Sequence, residues 1–456
     1  MGFDDKRVLV VGLGKSGQAA ALTLICRSAV VEVCDAQPQR YFNAEMIAEL
    51  QERGIKVTTG GYPEVNPHRY DLIVVSPGIA MEIEPLQQAL HYGIPVIGEV
   101  ELAYQIKNPQ VTMLAVTGTN GKTTTTALLE HILIRDGQRA AAGGNIGIPL
   151  TRLVEKMQQG IIAVEMSSFQ LETIKTFRPR ISAILNITPD HLDRHKTMQA
   201  YSAAKARIFA NQTASDHALL NYEDEIIQKL ARLCPAQVWF FSQQRPLEQG
   251  VFIADGQIII ADGGISYPVC RQDEVLLRGS HNMENILCAT GMAYCCGVSI
   301  PVIAAALRTF RGVRHRMEEV ARIDGILYVN DSKATNPESV IKALDAYQRP
   351  LILIAGGRNK GSRFDQLAAH IKARVKALIL LGEAKGDIRQ AVMDADFQNI
   401  YEVDTLAAAV SQARQLAHSG DVVLLSPACA SWDMFLNYEQ RGDIFCDLVK
   451  NAAVSH

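Results

Sequence analysis

A glycine-rich turn between a β-type run and a helix can cradle phosphate. The stretch Gly118-Thr119-Asn120-Gly121-Lys122-Thr123 stands in that setting, after Val111 to Thr117 and before a helical Thr124 to Arg135. Glycine lets backbone N–H groups wrap an anion, and the helix N-terminus adds the positive end of a dipole. Lys122 neutralises charge, and the Thr123 hydroxyl can ligate magnesium. The spacing departs from G-x-x-x-x-G-K-[ST], because position 116 is Val. ATP is the ligand this loop predicts. Glu165 closes the apolar run Ile161 to Val164, placing a carboxylate at the carboxyl edge of a sheet, where a magnesium role and a capping role before Ser167 and Ser168 both remain open. Asp190-His191-Leu192-Asp193-Arg194-His195 gathers ionisable groups after another strand-like run. His191 and His195 have a helical zinc spacing, but Leu192 stands where a metalloprotease needs Glu, so a loop positioning magnesium-bound phosphates is the better reading.

A second glycine turn, Gly12-Leu13-Gly14-Lys15-Ser16-Gly17, follows the first strand-like run and matches G-x-G-x-x-G. Asp35 ends the next run about where a ribose-binding acid belongs, and Ser76-Pro77-Gly78 would face the same crevice. This spacing favours a dinucleotide over another nucleotide. Two nucleotide sites on one chain suit an enzyme that joins a nucleotide-tagged substrate to something else at the expense of ATP.

The elements that must position these groups alternate strand and helix. Val8 to Val11, Ser16 to Arg27 and Val30 to Cys34 begin the pattern, with strand candidates at Ile55 to Thr58 and Leu72 to Val75 and a helix around Val100 to Ile106. A boundary falls at the polar Lys107, Asn108 and Pro109. The second unit holds the phosphate loop and strands at Ile161 to Val164 and Ala183 to Ile187. Its Val251 to Val269 stretch is broken by Asp255-Gly256 and Asp262-Gly263, which signals hairpins. Helical periodicity stops around Phe310 to Arg316, and strands recur at Ile326 to Val329, Leu351 to Ile354, Ala377 to Leu381 and Val422 to Leu425. The reading is α/β in three domains: 1–108, 109–312 and 313–456.

A length of 456 residues agrees with about three domains. The 45 Lys and Arg against 48 Asp and Glu give a charge of -3, which offers no general field for nucleic acid or anionic membrane, and the arginines at 308, 311, 314 and 316 do not change that. Nine cysteines without C-x-x-C spacing read as thiols in a reducing compartment. No signal-peptide core and no membrane-spanning apolar stretch is evident, so the cytoplasm is expected.

Together the motifs resemble the Mur ligases, and within that family the D-glutamate-adding branch. The likeness spans nearly the whole chain. It rests on GTNGKTT from Gly118, GGNIG from Gly143, EMSSFQLE from Glu165, Asp190 to His195 and RGSHNMEN from Arg278. His315-Arg316, DSKATNP from Asp331 and SPACASWDMFLNYEQRG from Ser426 continue it. The resemblance implies a Rossmann-like N-terminal domain, a central P-loop ATPase-type mixed α/β domain and a Rossmann-like C-terminal domain. It implies that ATP phosphorylates the carboxylate of UDP-MurNAc-L-Ala and that D-glutamate attacks the acyl phosphate, in a monomeric enzyme of peptidoglycan synthesis. By the same resemblance, Thr123, Glu165, His191 and a carbamylated Lys205 hold magnesium, although the local pattern alone reads Lys205 as a solvated helix lysine. Lys122, His191, Lys205 and Lys333 are then the catalytic set. Gly118, Thr119, Asn120, Gly121, Lys122, Thr123, Thr124, Asn282, Arg316 and Asp331 would contact the nucleotide. Gly14, Lys15, Ser16, Asp35, Ser76, Gly78, Asn145 and His191 would contact the UDP-substrate, and Thr335, Lys360, Ser431 and Tyr438 D-glutamate. Ala36 and Gln37 follow Asp35 where some family members carry a hydroxyl and an arginine.

Overall fold

Strands buried on both faces need side chains apolar on both, and Val8, Leu9, Val10 and Val11 are all 0% exposed. They form β1 (Arg7–Val11), which lies at the centre of a five-stranded parallel sheet with β2 (Val30–Asp35), β3 (Lys56–Thr59), β4 (Leu72–Val75) and β5 (Val96–Gly98). The order is β3-β2-β1-β4-β5, so the winding reverses between β1 and β4 and opens a crevice at their carboxyl ends. The computed structural model describes residues 2–454 except 146, 278, 279 and 360. It divides into two units, one ending at Phe310 and the other starting at Arg311.

The first unit also contains a nine-stranded sheet. Its strands are β6 (Val111–Thr117), β7 (Ala140–Gly144), β8 (Gly160–Glu165), β9 (Ile181–Ile184), β10 (His217–Asn221), β11 (Gln237–Ser242), β12 (Gly250–Ala254), β13 (Gln257–Asp262) and β14 (Ile265–Arg271), in the order β14-β13-β12-β11-β10-β9-β6-β8-β7. Pairing is parallel from β7 to β12, then antiparallel to β13 and β14. Asp255 and Gly256 at φ 48° and 72° make the first hairpin turn, and Gly263 and Gly264 at 57° and 80° the second. Asp262 itself still pairs with Ile265, so the second turn lies one residue beyond the expected Asp262-Gly263. Helices Lys122–Arg135 and Ser280–Cys295 bury Leu128, Leu129, Ile132, Ile286, Leu287 and Met292 in the core on one face. On the other, Phe177, Tyr201, Ile208 and Phe209 join a second core.

The second unit orders its strands β15-β16-β20-β17-β18-β19. These are β15 (Glu318–Ile323), β16 (Ile326–Asn330), β17 (Leu351–Gly356), β18 (Val375–Leu381), β19 (Ile400–Glu402) and β20 (Val422–Ala428). Only the β15 to β16 pairing is antiparallel. The chain is thus α/β throughout, with three sheets, as its alternating pattern predicts.

Candidate active site

The phosphate loop leaves β6 at the carboxyl edge of the large sheet. Gly118 and Gly121 take φ of 155° and 83°, and a Cβ on Gly121 would stand 2.0 Å from Asn285 Oδ1. Only glycine fits there. Lys122 opens the helix and curls back to donate to the carbonyls of Gly118 and Thr119 at 2.9 and 2.8 Å. Thr123, 4% exposed, occupies the first helical turn. The loop is pinned from outside: Thr119 N–H donates to Asn186 O, Asn120 N–H to Asn186 Oδ1 at 2.8 Å, and Thr188 N–H to Thr119 Oγ1 at 3.0 Å. Thr125 donates to Asn285 Oδ1, which ties the helix Ser280–Cys295 to the helix that the loop opens, and Asn285 donates in turn to Asn282 on its own helix.

Lys205 is 1% exposed, which corrects the expectation of a solvated lysine. The helix Met198–Ala206 turns that face inward, and Lys205 donates to Gly118 O at 2.9 Å above the Tyr201 ring at 4.6 Å. Burial, reinforced by the Lys122 charge, brings its ammonium down to about 7 against the opposing pull of Asp190. Glu165 ends β8 beside Val116 of β6, also buried. One carboxylate oxygen accepts from the Asn145 amide at 2.9 Å, and the other, Oε2, has no hydrogen-bond partner among the described residues. An unsatisfied buried carboxylate oxygen beside a phosphate loop is a donor set that fits a hard cation such as magnesium. Capping before Ser168 is done by Ser167 and Gln170, in a reciprocal capping box that does not involve Glu165.

His191 has φ 53°, and its half-exposed ring lies 4.9 Å from that of Phe169. His195 shares the Phe169 contact but is buried, stacked on that ring, bonded through Nε2 to Ser168 Oγ at 2.9 Å and faced by Glu172 at 3.4 Å. Burial lowers its pKa. The pair is therefore not arranged as two ligands of one ion.

In the first sheet, Gly17 packs so closely that a Cβ would meet Gly12 O at 1.8 Å. Asp35 accepts N–H bonds from Leu13 at 2.8 Å and Gln37 at 2.9 Å, so its carboxylate braces the glycine turn. Ser76 donates to Gly12 O, bringing the turn after β4 against that after β1. Gly14 starts the helix Lys15–Ile25, and Ser16 lies in its first turn. The crevice thus gathers Gly14, Lys15, Ser16, Asp35, Ser76 and Gly78.

The second unit gathers its own group at the carboxyl ends of β16 and β20. Asp331 is buried and accepts from Ser426 Oγ at 2.7 Å and Met317 N–H at 3.2 Å; burial pushes its carboxyl up to about 7. His315, at φ 61°, meets the Asn330 amide at 3.0 Å and lies edge-on to Tyr438, over whose ring Lys333 stands at 5.9 Å. Arg316 carries charge towards Asp331. Thr335 N–H donates to Lys333 O, and Ser431 is 2% exposed. Lys360 lies outside the described residues. Burial raises the Tyr438 phenol to about 12, which keeps it a hydrogen-bond donor.

Sequence reasoning missed three groups. Tyr201 sits one helical turn before Lys205 and reaches Thr119 Oγ1 at 3.2 Å, a signal available in the i, i+4 spacing. Asn285 sits inside RGSHNMEN but gave no reason to expect contact with the loop. Arg441, 2% exposed, donates to Ser332 Oγ and O at 3.0 and 2.9 Å, and burial lowers its guanidinium to about 10. An arginine in the first turns of a terminal helix carries no sequence mark of burial.

Three family models match the chain. They are the Mur ligase MurD-like N-terminal domain over residues 6–98, the Mur ligase middle domain over 116–293, and the Mur ligase glutamate ligase domain over 315–429. A UDP-N-acetylmuramoylalanine--D-glutamate ligase of Pelotomaculum thermopropionicum is 47% identical over 98% of both chains. One of the same name from Clostridioides difficile is 43% identical over 99% of this chain and all of its own. Among solved structures, a UDP-N-acetylmuramate-alanine ligase of Thermotoga maritima shares the fold at a TM-score of 0.55 and 18% identity, covering 98% of this chain and 100% of its own.

Proposed function

The chain belongs to the Mur ligase family, and we propose that it joins D-glutamate to UDP-N-acetylmuramoyl-L-alanine at the expense of ATP, as a monomer in the cytoplasm. The observation that carries this reading is the 47% identity along nearly the whole chain to a ligase of that name. A uridine-diphosphate sugar thereby replaces the dinucleotide that the Gly12 to Gly17 spacing favours. Nine free cysteines agree with a reducing compartment, and no helix among the described residues is long and apolar enough to cross a membrane. In this reading the domains run 1–108, 109–312 and 313–456.

A free carboxylate resists attack because resonance and negative charge repel a nucleophile. Transfer of the γ-phosphoryl group to it creates an acyl phosphate with a good leaving group. Protein groups then have to align anions and stabilise charge. In this reading Gly118 to Thr124 hold the triphosphate, and Lys122 swings from its two carbonyls to the phosphates. Asn282, Arg316 and Asp331 contact the rest of the nucleotide. Thr123, Glu165, His191 and carbamylated Lys205 would hold magnesium, whose bound charge offsets that of the phosphates. The orphan Glu165 Oε2 and the lowered Lys205 pKa support those two assignments, since a carbamate forms from the neutral amine. Gly14, Lys15, Ser16, Asp35, Ser76, Gly78, Asn145 and His191 take the UDP-substrate. Asn145 then gives up its bond to Glu165. Thr335, Lys360, Ser431 and Tyr438 bind D-glutamate, and Lys333 assists in the same block.

The test supplies UDP-MurNAc-L-Ala, ATP and magnesium, then compares phosphate release and product mass with D-Glu, L-Glu, L-Lys and diaminopimelate. Release with D-Glu alone is expected. Equal release with another amino acid, or none with D-Glu, would refute the assignment.

A further inference from the structure

The turn after β4 and the short helix Leu192–His195 follow strands of different sheets, and one side chain joins them. Arg194 donates from Nη2 to the Ile79 carbonyl at 3.0 Å and from Nη1 to the Gly78 carbonyl at 3.4 Å, and it pairs with Glu172 at 2.9 Å. The Phe169 ring lies 4.3 Å beneath its guanidinium, and only 19% of the side chain is exposed. Glu172 is held in turn, because its second oxygen faces His195, which is bonded to Ser168.

Each end of this strap reaches a candidate site. On one side Ile79 N–H donates to Ser76 O, and Ser76 Oγ donates to Gly12 O in the N-terminal glycine turn. On the other, the His191 carbonyl accepts the N–H groups of Arg194 and His195 at 3.1 and 3.0 Å, so the short helix hangs from His191. The Phe169 ring that lies under Arg194 is also 4.9 Å from the His191 ring. A planar fork serving two carbonyls and a carboxylate is beyond what a lysine can reproduce.

We propose that Arg194 is a positioning residue that couples the UDP-substrate crevice to the magnesium–phosphate site. A ligand ordering the Ser76 to Ile79 turn thereby orders the His191 loop, and by linkage the reverse holds equally. The inference rests on the site assignments proposed above.

Calorimetry tests it. The affinity for UDP-MurNAc-L-Ala is measured with and without magnesium and a non-hydrolysable ATP analogue, and the affinity for magnesium-analogue is measured alone. In the unaltered protein each ligand should tighten the other about tenfold. Arg194→Ala should reduce that coupling to about onefold while the affinity for magnesium-analogue alone stays within about twofold. Arg194→Lys, which keeps a charge opposite Glu172 but not the fork, should lose most of the coupling. Coupling retained in Arg194→Ala, or absent in the unaltered protein, overturns the proposal. So does a parallel loss of both affinities together with the melting temperature, which would mark a merely structural arginine. Failure of the unaltered protein to bind UDP-MurNAc-L-Ala at all would instead overturn the assignment of the crevice.

Discussion

With its ammonium brought down to about 7 by burial, Lys205 reaches the free-amine form far more readily near neutral pH than an ordinary lysine. That is the form able to add carbon dioxide. Lys205→Ala should therefore lower ligase activity about 100-fold or more, and added small carboxylates such as acetate or formate should restore part of it. Full activity without them would show that no carbamate is needed. Asp331 poses a different test, because its carboxyl is raised to about 7 in the folded chain. The folded state then binds more protons than the unfolded state between about pH 4 and 7, so this group's penalty is absent at the acid end and complete above pH 7. Asp331→Asn should consequently raise stability at pH 8 by about 1–3 kcal/mol and change it little near pH 4, as read from urea unfolding at the two pH values. An equal effect at both would mean that the carboxyl is not buried as described. Neither burial was legible in the sequence. Ala203-Ala204-Lys205-Ala206-Arg207 has the composition of an exposed helix, yet Tyr201, one turn earlier, reaches Thr119 and Lys205 itself reaches Gly118 O, contacts to a loop about eighty positions away.

The elements were more readable than the side chains they carry. The phosphate loop, the β1 glycine turn and both hairpins were marked by glycines whose positive φ the structure requires. β7 was invisible because Ala140–Gly144 holds only alanine and glycine, neither of which favours strands, and β9 ends at Ile184 because Asn186 is drawn into bracing the phosphate loop. Gly121 allows a prediction at this scale. Alanine there needs φ 83° and places its Cβ 2.0 Å from Asn285 Oδ1, so either the helix N-terminus or Asn285 must move. Gly121→Ala should weaken ATP binding at least about tenfold, while the melting temperature falls by only a few degrees. Unchanged ATP affinity, measured with a fluorescent analogue, would remove the loop from the nucleotide site.

Across the whole molecule, the three α/β sheets and the family were legible because motifs recur at the carboxyl ends of β1, β6, β8 and β16, where open sheets bind ligands. Second contacts such as Arg441 to Ser332, or Arg194 to Ile79, join residues roughly a hundred positions apart, which spacing along a chain does not reveal. The proposed reaction requires that ATP activate a carboxylate. The most direct measurement starts from UDP-MurNAc-L-Ala with both terminal carboxylate oxygens labelled with oxygen-18, turned over with ATP, magnesium and D-glutamate. Passage through an acyl phosphate sends one labelled oxygen into the released inorganic phosphate and leaves the other in the new amide, as mass spectrometry of both products would record. Unlabelled phosphate released alongside ligated product would contradict the account.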